Sequence, residues 1–184
     1  MEKNINSTHL LLRNDDVFMA TAITNKMGYA TRIKSFYQWF LDTDTIFEKY
    51  QYPCILACLT EGIDKNPEWV EYVKKNLHRF QIELHGSSHY FYNSMSEEEG
   101  YEDLKKAKEK LENAFDRKIT TWYVPFGERK FPEWGKRVCN KLNLDFDVTA
   151  GNKGKQIYFH YWAWRDIEKI TNLLHSICRQ RESN

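Results

Sequence analysis

Short apolar runs alternate along the chain with longer stretches whose apolar residues recur at helical spacing. The run at residues 118–124 is rich in β-branched and aromatic residues, residues 79–84 alternate as a strand does, and the first two runs are short and apolar, as in buried strands. The short runs predict strands at residues 9–13, 53–60, 79–84, 118–124, 144–149 and 156–161. The longer stretches predict amphipathic helices at residues 31–50, 66–77, 96–115, 131–142 and 164–179.

Two local signals mark where helices begin. Ser96 followed by Glu99 is a capping box, and Pro67 stands at the first turn of its helix, where proline costs no hydrogen bond. Strands that alternate with helices imply β-α-β units and a largely parallel sheet. A complete eight-unit barrel needs about 250 residues, and this chain has 184. The predicted fold class is therefore α/β, either an open sheet or a distorted, incomplete barrel.

The composition narrows the classes of protein. The length suits one domain over residues 1–184. Lys and Arg number 27 and Asp and Glu 26, so the net charge of +1 argues against a general nucleic-acid-binding protein. No apolar run reaches the roughly 18 residues of a membrane span or the roughly 7 of an export signal. We therefore predict a cytoplasmic protein without a membrane partner, whose cysteines are reduced and buried. The sequence does not predict the oligomeric state.

Polar groups suited to catalysis collect at the ends of the predicted strands. In chain order they are Asp15, Asp16, His85, His89 (in the segment HGSSH), Pro125-Phe126-Gly127 and His160. Because the carboxyl ends of parallel strands meet at one edge of a sheet or barrel, we expect these groups to form one site.

The residue types in this site favour metal chemistry. One carboxylate and two imidazoles suit Zn²⁺, with Co²⁺ or Mn²⁺ as alternatives, and three protein ligands leave a coordination position open for catalysis. One Asp of the pair can ligate the ion while the other accepts a proton from the attacking water. His160 could protonate a leaving amine, so the assembly is typical of a hydrolase that cleaves an amide or ester.

These residues resemble the motifs of the polysaccharide deacetylases, the NodB-homology group of carbohydrate esterase family 4. The Asp pair that ends the first motif is matched by Arg13–Asp16, and the second motif, H-S/T-x-x-H, by His85–His89. The third, R-x-P-Y/F-G, is matched in part by Tyr123–Gly127, and the fifth, a strand ending in histidine, by Ile157–His160. The motifs follow the family order and span most of the chain.

The resemblance implies a fold, an activity and a role for each residue. The fold would be a distorted (β/α) barrel of about six or seven strands, and the activity the removal of an N-acyl group, acetyl in the first place, from a carbohydrate or amino-sugar derivative. Asp15 would be the general base and His160 the general acid. The metal ligands would be Asp16, His85 and His89, and the Phe126 N–H would stabilise the oxyanion.

Several positions depart from the family pattern. Tyr123 stands where the family has the arginine that orients the catalytic base, and Arg13 is a candidate substitute from the first strand. Gly86 replaces a serine or threonine, and Asn14 an apolar residue. Asp145 and Asp147 match the fourth motif only loosely.

Aromatic residues beside the motifs are candidates for stacking on a sugar ring. The substrate-binding candidates are Tyr90, Trp122, Tyr123, Pro125 and Trp162, and further aromatics follow His89 at Phe91 and Tyr92. Ordinary packing in the core or at the rim of the barrel is the alternative for each of them.

Other functions stay open at this stage. The missing arginine fits a catalytically inactive relative that binds a sugar or a partner protein. A deformylase or another C–N amide hydrolase on the same fold is a close variant, and an α/β domain without metal is a third alternative. Without an export signal, a soluble amino sugar, nucleotide sugar or glycan precursor suits the chain better than a wall polymer.

Overall fold

The computed structural model describes residues 11–19, 35–50, 52–149, 156–160 and 164–182. Its strands are β1 (Leu11–Val17), β2 (Cys54–Leu59), β3 (Phe80–Gly86), β4 (Thr121–Tyr123), β5 (Asp145–Asp147) and β6 (Gln156–His160). Its helices are α1 (Phe36–Tyr50), α2 (Pro67–Lys75), α3 (Glu97–Phe115), α4 (Gly135–Leu142) and α5 (Trp164–Glu182).

The strands form one six-stranded sheet in the order β5-β4-β3-β2-β1-β6. Every neighbouring pair is parallel, which confirms the predicted α/β class. β5 and β6 are the edges of the sheet in the described part of the chain, so the barrel is incomplete. The Arg13 side chain from β1 reaches the carbonyl of Thr149 just beyond β5, although three strands lie between β1 and β5. This contact shows that the sheet is strongly curved.

The first strand is longer than predicted. β1 continues to Val17, so Asp15 and Asp16 lie within the strand, near its carboxyl end, and do not follow it as predicted. Its register against β2 shifts between Asn14 and Val17, as in a β-bulge. A bulge re-aims side chains at the end of a strand, and here it falls on the Asp pair.

Two helices begin later than predicted. Ser35 is not helical and its hydroxyl accepts a hydrogen bond from the Gln38 N–H at 3.1 Å, so it caps α1 and the helix begins at Phe36. After a 3₁₀ turn at Gly127–Lys130, α4 begins only at Gly135, because residues 131–134 are not helical and the Gly135 N–H closes a turn by donating to the Pro132 carbonyl at 2.9 Å. By contrast, α3 begins as its capping box predicts, with Ser96 accepting from the Glu99 N–H at 3.2 Å.

Large aromatic side chains fill the main hydrophobic core, which lies on one face of the sheet. Trp69 and Trp122 are fully buried, and Trp122 stacks parallel to Trp134 at 6.4 Å. The described cysteines, Cys54, Cys58 and Cys139, are free and buried, as predicted. Among the described residues, no helix is long and apolar enough to cross a membrane.

A buried ion pair anchors the amino end of β3. Arg79 donates to both carboxylate oxygens of Asp44 on α1, at 2.9 and 2.8 Å, and the Tyr72 hydroxyl donates to the same group at 2.6 Å. Six residues of extended chain, about 20 Å, separate Arg79 from His85 at the other end of β3. The pair therefore stabilises the fold at a distance from the predicted site.

Candidate metal centre

Asp16, His85 and His89 converge at the carboxyl ends of β1 and β3. The Nε2 atoms of His85 and His89 lie 3.4 and 3.3 Å from Oδ1 of Asp16. One potential ligand atom from each residue lies within 4.8 Å of the other two. Asp16 and His85 are buried and His89 is half-buried, so the three groups form a compact set of nitrogen and oxygen ligands.

The hydrogen bonding of His85 shows that this set fits a cation. His85 Nδ1 lies 2.6 Å from the backbone carbonyl of Tyr123, which can only accept, so Nδ1 carries the proton. In the neutral ring, Nε2 then directs a lone pair at the Asp16 carboxylate. Two acceptors that face each other at this distance need a proton or a metal ion between them, and this backing of a ligand histidine by a carbonyl is common in metal sites.

The backbone at Asp16 has a strained conformation that orients its carboxylate toward the two histidines. Asp16 has φ 62°, and Phe18 has φ 64°, both in the left-handed region that non-glycine residues rarely adopt. Such a conformation costs of order 1–3 kcal/mol and concentrates at functional sites. The strain coincides with the bulge in β1 and turns the Asp16 carboxylate toward the two histidines.

A second set of contacts holds the loop between the two histidines. Asp103 of α3 accepts hydrogen bonds from the Ser87 hydroxyl and, at 2.6 Å, from the Tyr92 hydroxyl. Gly86 has φ 140°, and a Cβ added there would stand 2.3 Å from the Tyr92 hydroxyl. The Tyr92–Asp103 contact therefore explains why glycine replaces the serine or threonine of the family motif.

Replacing Gly86 with Ala is expected to destabilise the protein by about 2–4 kcal/mol, because the new Cβ meets both a strained backbone and the Tyr92 hydroxyl. Urea unfolding measures the change. Ser88→Ala, in the same loop, is the matched control and should stay within about 0.5 kcal/mol of the wild type. Equal stability of the two variants would contradict the packing argument.

Asp15 is held by a buried arginine from its own strand. Arg13 donates from Nε to Oδ1 at 2.7 Å and from Nη2 to Oδ2 at 2.9 Å. Its guanidinium carbon lies 4.6 Å from the centre of the Tyr123 ring, and Nη1 lies 3.7 Å from Asp147. Burial alone would lower the pKa of Arg13, but the charge and hydrogen bonds of Asp15, with Asp147, outweigh it and raise that pKa. Arg13 is therefore a fixed cation.

The ring of Tyr123 is neutral beneath this cation. Burial is the largest influence and raises the pKa of Tyr123 to about 12, although the charge of Arg13 acts in the opposite direction. Tyr123 stands where the family motif has arginine. Arg13, the candidate substitute, thus binds Asp15, and Tyr123, at the motif position, packs against the Arg13 guanidinium.

The predicted acid lies at the same rim. β1 and β6 pair in register with Asp15 opposite His160, so the backbones of the predicted base and acid are neighbours. The side chain of His160 and the whole of Trp162 lie outside the described residues.

An aromatic platform, formed by Tyr90, Phe91 and Phe126, flanks the centre. These are the exposed large apolar side chains of the described part of the chain. Phe126 stacks on Phe91 with ring centres 4.4 Å apart and an interplanar angle of 14°, and the Phe126 and His89 rings meet edge to face with centres 4.2 Å apart. The ammonium of Lys130 lies 4.9 Å from the centre of the Phe91 ring.

The structure separates the predicted substrate-binding residues. Tyr90 is exposed beside His89, whereas Trp122 is fully buried against Trp134 and has no surface to offer a ligand. Tyr123 lies beneath Arg13, and Pro125 is buried. Trp122 and Tyr123 are adjacent in β4, so their side chains point to opposite faces of the sheet, and only Tyr123 lies on the side of Arg13 and Asp15.

Sequence reasoning missed Asp103 as the support of the histidine loop. Its only signal was an acidic residue on a predicted helix, which is usual for a solvated face. Phe91 was noted only as a neighbour of His89, and Lys130 was not singled out.

The fold and the site define a class: parallel α/β proteins with a carboxylate and two histidines at the carboxyl ends of the strands. The sequence matches the family model described as polysaccharide deacetylase over residues 23–145. The chain belongs to the polysaccharide deacetylase family, which confirms the resemblance inferred from the motifs. The Asp pair and His160 lie outside the matched residues.

Solved structures share this fold. A family 4 carbohydrate esterase from Streptomyces lividans, solved with acetate, has a TM-score of 0.69 at 12% identity over 94% of this chain and 88% of its own. Peptidoglycan deacetylase PdaC from Bacillus subtilis has a TM-score of 0.57 at 15% identity over 94% and 92%.

A CE4 family pseudoenzyme from Bacillus anthracis has a TM-score of 0.66 at 11% identity over 95% of this chain and 62% of its own length. The present chain therefore spans less than two thirds of that protein. At these identities the likenesses show the fold alone. No curated protein sequence matches the chain.

Proposed function

We propose that this protein is a metal-dependent hydrolase that removes an N-acyl group, acetyl in the first place, from a carbohydrate or amino-sugar derivative. The observation that carries the proposal is the convergence of Asp16, His85 and His89 beside an Asp15 held by Arg13. Membership of the polysaccharide deacetylase family supports the reaction class.

Asp16, His85 and His89 would hold a divalent cation, Zn²⁺ by the nature of the ligands, with Co²⁺ or Mn²⁺ as alternatives. Such an ion supplies Lewis-acid polarisation of the acyl oxygen and lowers the pKa of water. The ligands themselves come from different elements of the fold. Their separation along the chain means that the centre exists only in the folded protein.

Asp15 would accept the proton of the attacking water. It directly precedes the predicted ligand Asp16 in the chain, and Arg13 binds both oxygens of its carboxylate. A carboxylate that accepts a hydrogen bond at each oxygen from one guanidinium is restricted to one orientation, and this favours proton transfer from a fixed direction.

Phe126 and His160 would act on the carbonyl oxygen and the leaving group. Phe126 has φ 63° at the start of the 3₁₀ turn, and its backbone N–H would donate to the oxyanion of the tetrahedral intermediate. His160 would give a proton to the departing amine. Its backbone lies opposite Asp15 in the parallel pairing of β1 with β6, so acid and base would approach the substrate from adjacent strands.

The aromatic platform would bind the sugar. Phe91 is 50% exposed and Tyr90 45% exposed, and both follow the ligand His89 directly in the chain. Aromatic faces next to a polar centre suit the apolar face of a pyranose ring. The proposal therefore places the sugar ring on the side of the centre that His89 and Phe126 form.

Two observations favour a second candidate, a binding protein without turnover. Tyr123 replaces the arginine of the third motif, and a CE4 family pseudoenzyme shares the fold. The contact of Arg13 with Asp15 argues for activity, because it restores a guanidinium beside the predicted base.

Removal and return of the metal test the proposed function. We expect the purified protein to contain about one equivalent of metal and to release acetate from N-acetylglucosamine oligomers. Dipicolinate should abolish both metal and acetate release, and Zn²⁺, Co²⁺ or Mn²⁺ should restore them. Elemental analysis and an acetate assay provide the two measurements. Full activity without metal would refute the mechanism, and bound metal without hydrolysis of any N-acyl sugar would favour the binding protein.

A further inference from the structure

The Arg13 guanidinium is the centre of a buried network that joins three strands. Beyond its two hydrogen bonds to Asp15, Nη2 donates to the carbonyl of Thr149 at 3.0 Å and Nη1 faces Asp147 at 3.7 Å. Tyr123 of β4 covers one face of the group at 4.6 Å. Tyr123 and Asp147 are themselves partners in the pairing of β4 with β5. The network therefore spans the inside of the curved sheet from β1 to β5.

This network restricts the orientation of the Asp15 carboxylate. Arg13 is 3% exposed and Asp15 5% exposed, so solvent does not screen the pair. A guanidinium that binds both oxygens of a carboxylate fixes the plane of that carboxylate as well as its position. Because the ring of Tyr123 and the carbonyl of Thr149 fix the guanidinium in turn, Asp15 has little freedom to rotate.

We propose that Arg13 is the positioning residue of Asp15, and that the Tyr123 ring holds the Arg13 guanidinium in the plane from which it binds both carboxylate oxygens. The proposal rests on the proposed function, in which Asp15 accepts the proton of the attacking water. Arg13 acts only through Asp15.

According to this proposal, an arginine at either position 13 or position 123 can place its guanidinium beside the Asp15 carboxylate. The Tyr123 ring lies in contact with the group that Arg13 delivers, so an arginine at position 123 would begin beside the same carboxylate. A tyrosine at position 123 is then compatible with activity because Arg13 supplies the guanidinium. A double variant, Arg13→Leu with Tyr123→Arg, would move the guanidinium from position 13 to position 123.

Kinetics of Arg13 variants test the proposal. We expect Arg13→Leu to lower kcat about 100-fold with KM within about threefold, because a misplaced base slows the chemical step and leaves ground-state binding intact. Arg13→Lys, which contacts one oxygen at a time, should lose about tenfold. Adding Tyr123→Arg to Arg13→Leu should restore kcat at least about tenfold, and the metal content should be the same in every variant.

Arg79→Leu is the matched control. It removes the other buried arginine among the described residues that binds both oxygens of a carboxylate, at the amino end of β3. We expect a comparable fall in stability and kcat within about twofold of the wild type. If Arg13→Leu and Arg79→Leu lower kcat equally, or if Tyr123→Arg restores nothing, Arg13 is merely structural and the proposal is wrong. If Arg13→Leu does not fold, Arg13→Lys against Arg79→Lys decides the same question.

A measurement without turnover separates this proposal from the proposed function. In a double-mutant cycle of Arg13→Leu with Asp15→Ala, followed by urea unfolding, we expect a coupling of about tenfold or more in the unfolding constant. The cycle of Arg13→Leu with Asp147→Ala should give less, because that contact is longer. Additive effects of Arg13 and Asp15 would overturn the proposal. An inactive wild type with strong coupling would refute the proposed function and retain the Arg13–Asp15 unit.

Discussion

His89→Ala is expected to remove the bound metal and to lower turnover at least about a thousandfold, the scale of the several kcal/mol that a catalytic cation supplies. His89 provides one of three ligands, and the remaining pair, Asp16 and His85, cannot hold an ion with useful affinity. Asp16→Ala and His85→Ala should act in the same way. Elemental analysis of the purified variants and the acetate assay provide the two numbers.

The control for this prediction is His78→Ala. His78 is exposed in the turn after α2 and lies outside the metal centre. Its replacement should leave the metal content and kcat unchanged. If His89→Ala retained a full equivalent of metal while activity was lost, His89 would bind substrate and would not be a ligand. If it retained both, the centre itself would be wrongly assigned.

Asp15→Asn is expected to abolish turnover while the metal stays bound. An amide of nearly the same shape cannot accept the proton, and loss of a general base costs about 10²–10⁴ in rate. The Asn side chain can still accept one hydrogen bond from Arg13, so the fold and the neighbouring ligands should persist. Measured together, kcat and metal content distinguish a base from a ligand.

Asp44→Asn provides the comparison for Asp15→Asn. In the described part of the chain, Asp44 is the other buried carboxylate that binds a guanidinium through both oxygens, and it lies away from the centre. Its replacement should reduce stability and leave kcat near the wild-type value. Normal turnover in Asp15→Asn would refute the base, and loss of metal in that variant would show that Asp15 is itself a ligand.

The two predictions also separate an enzyme from a binding protein. An inactive relative that kept the centre would bind metal in the wild type and lose it in His89→Ala, yet Asp15→Asn would change nothing measurable. An enzyme responds to both substitutions. The position of Arg13 beside Asp15 is the reason to expect the second outcome.

The sequence by itself determined the class of fold and the residues that converge at its rim. Alternating strands and helices allow only short right-handed connections, so they predict parallel strands whose carboxyl ends meet. The segment His85–His89 is local in the chain, and its two rings therefore remain close in any fold that ends β3 there. The Asp pair was identified because it lies at the end of β1, although the strand runs further than predicted.

Only the tertiary structure decided how these residues are supported. The strained backbone of Asp16 depends on the register shift of β1 against β2, which no residue pattern specifies. The contact of Arg13 with Tyr123 depends on the curvature of the sheet, since β1 and β4 are not neighbours. Trp122 was predicted to meet substrate and lies in the core, because the packing of helices on the sheet, and not strand periodicity, determines which face is covered.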